Sequence, residues 1–457
     1  MAFLDLSVVN IAFAEIMEQF DETSMSTLTW VVSGYAVMFA AFLTPAGRLA
    51  DTLGRKRVFL AALAGFTVAS LVCAAAPSAT LLIIGRFGQG AMAAGMIPAA
   101  LGLIMSSTPR EKLTAAIGAW SAAAGFSAVV GPVVGGLLVD QFSWRSVFVI
   151  NGPIGVLLLI AGLRALPRHE PPAGRRMPDL IGTVALGLGI GLVVAALTEG
   201  DRWGWGSAKT IGLLVGGVVL ALIALLRSRR HAAPAIDTSL WSSRRFAASN
   251  VVSAIFGISL FAYLLAGALF AIGIWRYSIL EAAGALSVGA GAAMVGSVIA
   301  GRVTSPSAQR VLVVVGSLMF AGCTAIMSTD VFGTEPRFWA AWFPTGLLGG
   351  TGLGFAVTAL SSTAATAMPP MRFAAGVGMN LTARQLGGAL GTAGLAAIFA
   401  AHGAVDVDAF HDLYRACTVV SIVAAFAALT LTDGKSAPAT IGDQAAAATA
   451  VPASSPS

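Results

Sequence analysis

Fourteen runs of about 20 mostly apolar residues, joined mainly by short loops, leave this chain few ways to fold, because a run of that length is what a helix needs to cross a bilayer. The runs fall near 1–17, 29–50, 58–76, 80–105, 113–139, 147–166, 179–199, 209–226, 246–275, 279–301, 311–329, 338–366, 374–402 and 413–432. Of 457 residues, 57% are hydrophobic and 11% charged, against roughly 25% charged in a soluble domain. Such a chain cannot cover a water-facing surface of its size. The reading is an all-α integral membrane protein, and 53 glycines suit helices that approach one another closely in lipid.

Positive charge sets the expected orientation, since Lys and Arg collect in cytoplasmic loops. With the loop 47–57 placed inside, nineteen of the 27 Lys and Arg fall on the cytoplasmic side, six on the other, and two (Arg86 and Arg384) inside runs. The C-terminus is then cytoplasmic. The net charge of +6 therefore reports topology, and no nucleic-acid partner is expected. The first run offers only about 17 residues before Glu18, short for a crossing, which suggests a start inside the first helix. No cleavable signal peptide is visible. The segment 434–457 is rich in Ala, Ser and Pro and is expected to be disordered. The basic connection 227–245 reads as a hinge between two halves, with Trp241 and Phe246 at the membrane surface.

The loop itself, GRLADTLGRKR (47–57), holds Arg48, Arg55, Lys56 and Arg57 beside one carboxylate, Asp51. Gly47 and Gly54 suit a tight turn and close helix contact. Asp51 can pair with a guanidinium or cap the positive end of the next helix. A solvated basic hairpin is the plainer alternative. The order of residues closely resembles the loop signature between the second and third helices of major facilitator superfamily transporters.

Ionisable groups inside spans are costly and mark function. Asp5 lies in FLDLSVVNIAFAEI, where desolvation favours a neutral carboxyl. It is a candidate to bind and release a proton, or to neutralise a cationic substrate; a capping or surface acid is the alternative. Leu4, Asp5, Val8, Val9, Asn10 and Ala12 match the first-helix signature of fourteen-helix drug:proton antiporters, while Phe13 and Ala14 replace its Leu and Pro. Arg86 shares a helical face with Gln89 and Gly90, resembling the superfamily's fourth-helix motif. A guanidinium keeps its proton, so Arg86 would serve by holding a nearby carboxylate ionised. In GAWSAAAGFSAVVGPVVGG, residues Gly118, Gly131, Pro132, Gly135 and Gly136 permit a kink and close packing. Their spacing resembles the fifth-helix motif of exporters. Arg384, in MNLTARQLGGALG with Asn380 and Gly388 one turn away, resembles the penultimate helix of the same antiporters and would support a second polar site.

Other signals are weaker. In the second half only Gly301, Arg302 and Arg310 resemble the basic loop signature. The glycine-dense run 346–355 follows no strand and is not a nucleotide site. Glu199 and Asp201, beside Arg202, Trp203 and Trp205, read as an outer loop. His402 and His411 bracket Asp406 and Asp408 in what reads as another solvated outer loop rather than a metal site. Cys73, Cys323 and Cys417 lie in apolar runs as buried thiols. No GxxxxGK[ST] occurs, so ATP is not the expected energy source, and no cofactor or metal is expected. No nucleophile–base constellation suggests an enzyme.

The resemblance implies a major facilitator fold: a six-helix bundle over 1–166, two linker helices and a basic loop over 167–245, and a second six-helix bundle over 246–433. It further implies a proton-driven antiporter in the cell membrane that exports hydrophobic or cationic small molecules and works as a monomer. Asp5 and Arg86 would couple the proton. Asn10, Gln89, Asn380 and Arg384 would line a polar cavity. Gly47, Asp51, Gly54, Arg55, Lys56 and Arg57 would form a cytoplasmic latch. A proton-coupled importer and a non-transporting sensor or scaffold are the alternatives.

Overall fold

A computed structural model describes residues 1–166, 179–231, 234–236, 238–369, 372–402 and 406–431. The tail 434–457 and the segment 167–178 lie outside the described residues. Among the described residues there are fourteen long helices and no strand: α1 (Ala2–Gln19), α2 (Trp30–Leu53), α3 (Arg55–Ala74), α4 (Ala79–Ser107), α5 (Leu113–Gln141), α6 (Asn151–Ala165), α7 (Leu180–Trp203), α8 (Ala208–Ser228), α9 (Arg244–Gly273), α10 (Ile279–Gly301), α11 (Pro306–Met327), α12 (Phe343–Thr366), α13 (Phe373–His402) and α14 (Val407–Ala428).

Among the described residues twelve spans are long and apolar enough to cross a membrane; α6 reaches that length with the short helical turn before it. The two that fall short, α1 and α13, each carry polar residues, among them the suspected Asp5, Asn380 and Arg384. In α1 these are Asp5 and Glu15; in α13 they are Asn380, Thr382, Arg384 and Gln385. Large apolar side chains such as Val68, Leu157, Ile181 and Phe426 stay exposed, which a bilayer-facing surface explains.

The helices form two six-helix bundles with a hairpin between them. In the first, α1 packs on α5, α2 on α4, α3 on α4 and α3 on α6. Each pairing recurs eight helices later, as α9 on α13, α10 on α12, α11 on α12 and α11 on α14. The bundles meet along two seams, α2 with α13 and α5 with α10, which exchange under the same relation. The hairpin α7–α8 lies outside this pair, with α7 against α2 and α13. Asp179 pins it by accepting from the Gly182 N–H at 2.9 Å and from Arg227 Nε at 2.6 Å.

Small residues set the helix spacing. A side chain on Gly350 would run into the Gly289 carbonyl, one on Gly354 into the Ala293 carbonyl, and one on Gly352 into Gly316. The glycine-dense run is thus a packing face for α10 and α11, where lipid supplies little drive of its own and close backbone approach supplies the attraction. Several expected loops are helical instead. Glu199 is buried in α7, paired with Arg202 at 2.7 Å and accepting from Ser33 at 3.2 Å. His411 is buried in α14 against the Phe332 carbonyl at 3.1 Å. Phe246, expected at the membrane surface, is fully buried, whereas Trp241 is exposed.

Overpacking a helix seam costs about 1–3 kcal/mol. Gly350→Val should therefore lower the melting temperature of the purified protein. Gly216→Ala on α8, where an added Cβ meets nothing within 4 Å, should leave it unchanged or higher. Differential scanning fluorimetry in detergent compares the two.

Candidate functional site

Asp5 and Arg86 lie 81 positions apart in the sequence and meet in the core of the first bundle. Arg86 Nη1 donates to Asp5 Oδ2 at 2.5 Å, and neither side chain is exposed to solvent. The other carboxylate oxygen accepts from Asn151 Nδ2 at 3.0 Å and Gln89 Nε2 at 3.3 Å. Gln89 also accepts from Arg86 Nη1 at 2.9 Å and donates to Ser70 Oγ at 2.6 Å. Arg86 Nε donates to the Val31 carbonyl at 2.7 Å, and the guanidinium lies 4.4 Å from the centre of the Tyr35 ring. One ion pair thus ties α1, α2, α3, α4 and α6 together.

The helical spacing of Arg86 and Gln89 was legible; Asn151, Ser70 and Tyr35 were not singled out. An Asn inside the apolar run 147–166 was the available signal. Cys73, read as inert, donates to Gln89 Oε1 at 3.4 Å. Asn10 lies in α1 and Pro132 in α5, and their side chains fall outside the described residues.

The loop residues close the end of the molecule that carries them, the basic end. Gly54 has φ +105°, a conformation that glycine adopts without strain, and there the chain turns from α2 into α3. Asp51 does not cap α3. It pairs with Arg55 at 2.7 Å and accepts from the backbone N–H of Ala375 at 2.7 Å and Ala374 at 3.4 Å. These are the first-turn amides of α13, so a first-bundle carboxylate sits on the positive end of a second-bundle helix, an arrangement the helix dipole favours. Arg55 also donates to the Gly102 carbonyl at 3.0 Å. A side chain on Gly47 would strike the Ala374 carbonyl. Further along this seam Thr44 donates to Thr382 at 2.8 Å.

The second seam closes similarly. Gly118 on α5 meets Gly301 on α10. Gln309 donates to Thr114 at 3.3 Å and accepts from Arg245 at 3.1 Å. Lys56 stays within its own bundle, donating to the Leu163 and Leu166 carbonyls at 3.0 and 2.6 Å, and Arg57 is exposed. In the expected kink, α5 runs unbroken. Gly131 is buried, Gly135 packs on Val8 of α1, and a Cβ on Gly136 meets nothing within 4 Å.

In the second bundle Arg384 Nη2 donates to Ser361 at 3.2 Å and Asn380 Oδ1 at 3.4 Å, while Asn380 Nδ2 donates to Ser253 at 3.0 Å. The expected polar residues whose side chains are described therefore form two separate groups, Asp5, Arg86 and Gln89 in the first bundle and Asn380 and Arg384 in the second.

Comparison with known proteins agrees with this architecture. The Major Facilitator Superfamily profile matches residues 1–179. The chain is 31% identical over 402 residues to the tetracenomycin C resistance and export protein of Streptomyces glaucescens, covering 88% of this chain and 74% of that one. The chain belongs to the major facilitator superfamily. It is also 33% identical over 397 residues to the puromycin resistance protein of Streptomyces alboniger, covering 86% and 78%. Its fold matches that of the human organic anion transporter MFSD10, with a TM-score of 0.64 at 13% identity over 93% of this chain and 97% of that one. The family is one of multi-pass membrane transporters rather than enzymes.

Charge-assisted hydrogen bonds contribute about 1.5–3 kcal/mol each, so losing about 2 kcal/mol at Asp51 would shift the closed-to-open ratio about 30-fold. Cysteines placed by Thr44→Cys and Thr382→Cys should cross-link on mild oxidation. Adding Asp51→Asn should slow that reaction several-fold, read by gel mobility against the buried native cysteines.

Proposed function

We propose that this chain is a proton-coupled exporter of hydrophobic small molecules such as antibiotics, drugs or dyes, of the fourteen-helix drug:proton antiporter type. The observation that carries the coupling is the Asp5–Arg86 pair, with both side chains at 0% exposure. An ionisable carboxylate so placed is retained at a cost, and its partner cannot give up a proton. Protonation of Asp5 removes the charge that holds Arg86 and loosens the node joining five helices.

A mechanical route to the seams begins one turn along α1. Val8 packs on Gly135 of α5, and α5 meets α10 at Gly118 and Gly301. A shift of α1 on protonation would thereby reach the contact between the bundles. Asp51 and Arg55 would act as the latch at the basic end, holding the state in which that end is shut. Rocking of the bundles about the seams would then expose a site between them to alternate sides, the general behaviour of this fold.

Export rather than import is supported by the relatives, which include resistance and export proteins, and by the resemblance of Gly118, Gly131, Pro132, Gly135 and Gly136 on α5 to the fifth-helix motif of exporters. In this reading residues 1–166 and 246–433 are the moving bundles, 167–245 links them, and the protein works as a monomer. It sits in the cell membrane with its basic end and C-terminus in the cytoplasm. The proton gradient drives it, without ATP, metal or other cofactor.

Cells expressing the chain and loaded with a lipophilic dye should lose the dye in a manner abolished by a proton uncoupler. Asp5→Asn should abolish it too at equal protein abundance. Efflux unaffected by both treatments would overturn the coupling role.

A further inference from the structure

The two bundles treat their buried arginines differently. Arg86 faces a carboxylate at 2.5 Å. Arg384 is only 8% exposed, yet among the described residues no carboxylate comes within ion-pair distance of it. Its partners are a serine hydroxyl and an amide oxygen, both through Nη2 at 3.2 and 3.4 Å, and its buried Nε has no acceptor at all. Arg86 also has an unpartnered Nη2, but on a guanidinium whose charge is already matched. An uncompensated cation inside a membrane bundle is among the costliest features a fold can keep, and a guanidinium is built to take a planar anion through parallel N–H donors.

The partners of Arg384 lead to the boundary between the bundles. Ser361 and Asn380 line a cavity of about 10 Å³ together with Leu101, Trp120, Val377 and Leu381. Leu101 and Trp120 come from α4 and α5, and the other four from α12 and α13. With the basic end shut the cavity has room for about one water. Separation of the bundles at that end would widen the same wall, and Trp120, in edge contact with Phe3 at 6.0 Å, offers it an aromatic surface.

Asp5 is poorly placed to recognise a cation, because both of its oxygens are taken by Arg86, Gln89 and Asn151. We infer that Arg384, with Ser361 and Asn380, is the charge-recognition point of the transport site, and that its preferred substrates are aromatic organic anions bearing a carboxylate or phenolate. This rests on the exporter reading for its physiological use. It revises the expectation of cationic substrates drawn from the sequence.

Equilibrium binding tests it apart from transport. Fluorescein, an anionic xanthene, and a rhodamine ester, a cation on the same ring system, are titrated onto the purified full chain by fluorescence polarisation. The wild type should bind fluorescein more tightly than the rhodamine. Arg384→Gln should weaken fluorescein binding by about tenfold or more with little change for the rhodamine, and Arg384→Lys should restore part of the loss. A melting curve on each variant controls for folding. Equal fluorescein affinity in wild type and Arg384→Gln would overturn the inference, as would an equal loss for both dyes. Arg384-dependent binding without efflux of either dye from expressing cells would leave the inference standing and sink the exporter reading.

Discussion

The structure depends on one buried ion pair. A carboxylate and a guanidinium removed from water cost several kcal/mol each unless their geometry and remaining hydrogen bonds repay it. Here the repayment comes from four helices, α2, α3, α4 and α6, through the Val31 carbonyl, Ser70, Gln89, Asn151 and the face of Tyr35. A fold that needed only stability could use leucine at these positions. In the proposed mechanism, the retained charge is what lets proton binding at one residue act on the packing of the first bundle.

The second bundle repeats the helix pairings of the first without repeating its chemistry. Where the first holds a matched pair, the second holds a cation with neutral partners. At the basic end the asymmetry recurs. Asp51, paired with Arg55 in the first bundle, reaches the amides of α13, whereas the corresponding turn of the second bundle, after Gly301, contributes a Gly–Gly contact and the Gln309 junction. The one ion pair at the α2–α13 seam lies in the first half, and the α5–α10 seam closes through a glycine pair and the Gln309 hydrogen bonds instead.

The helices were legible in the sequence because the bilayer leaves little choice: an apolar run of sufficient length dictates a helix. The sequence also marked Asp5, Arg86, Gln89 and Arg384, since polar residues in apolar runs stand out individually. What it could not supply was partnership. Asp51 looked equally able to cap α3, and only the tertiary structure places its oxygens on Ala374 and Ala375, more than 320 positions away. Asn151 was not singled out although it lies inside an apolar run, because an amide carries no charge to mark it and its partner Asp5 is 146 positions away. Glu199 and His411 were assigned to loops because charge near the end of an apolar run has two readings, and burial alone decides between them.

The central claim is that Asp5 changes protonation during the transport cycle. Infrared difference spectroscopy of the purified protein, with Asp5→Asn to assign the band, measures it directly. At a pH low enough for Asp5 to carry a proton, adding a transported substrate should diminish the protonated-carboxyl band and release a proton to the medium, and both signals should vanish in the variant. A substrate-induced spectrum with no carboxyl band, or one identical in Asp5→Asn, would contradict the account.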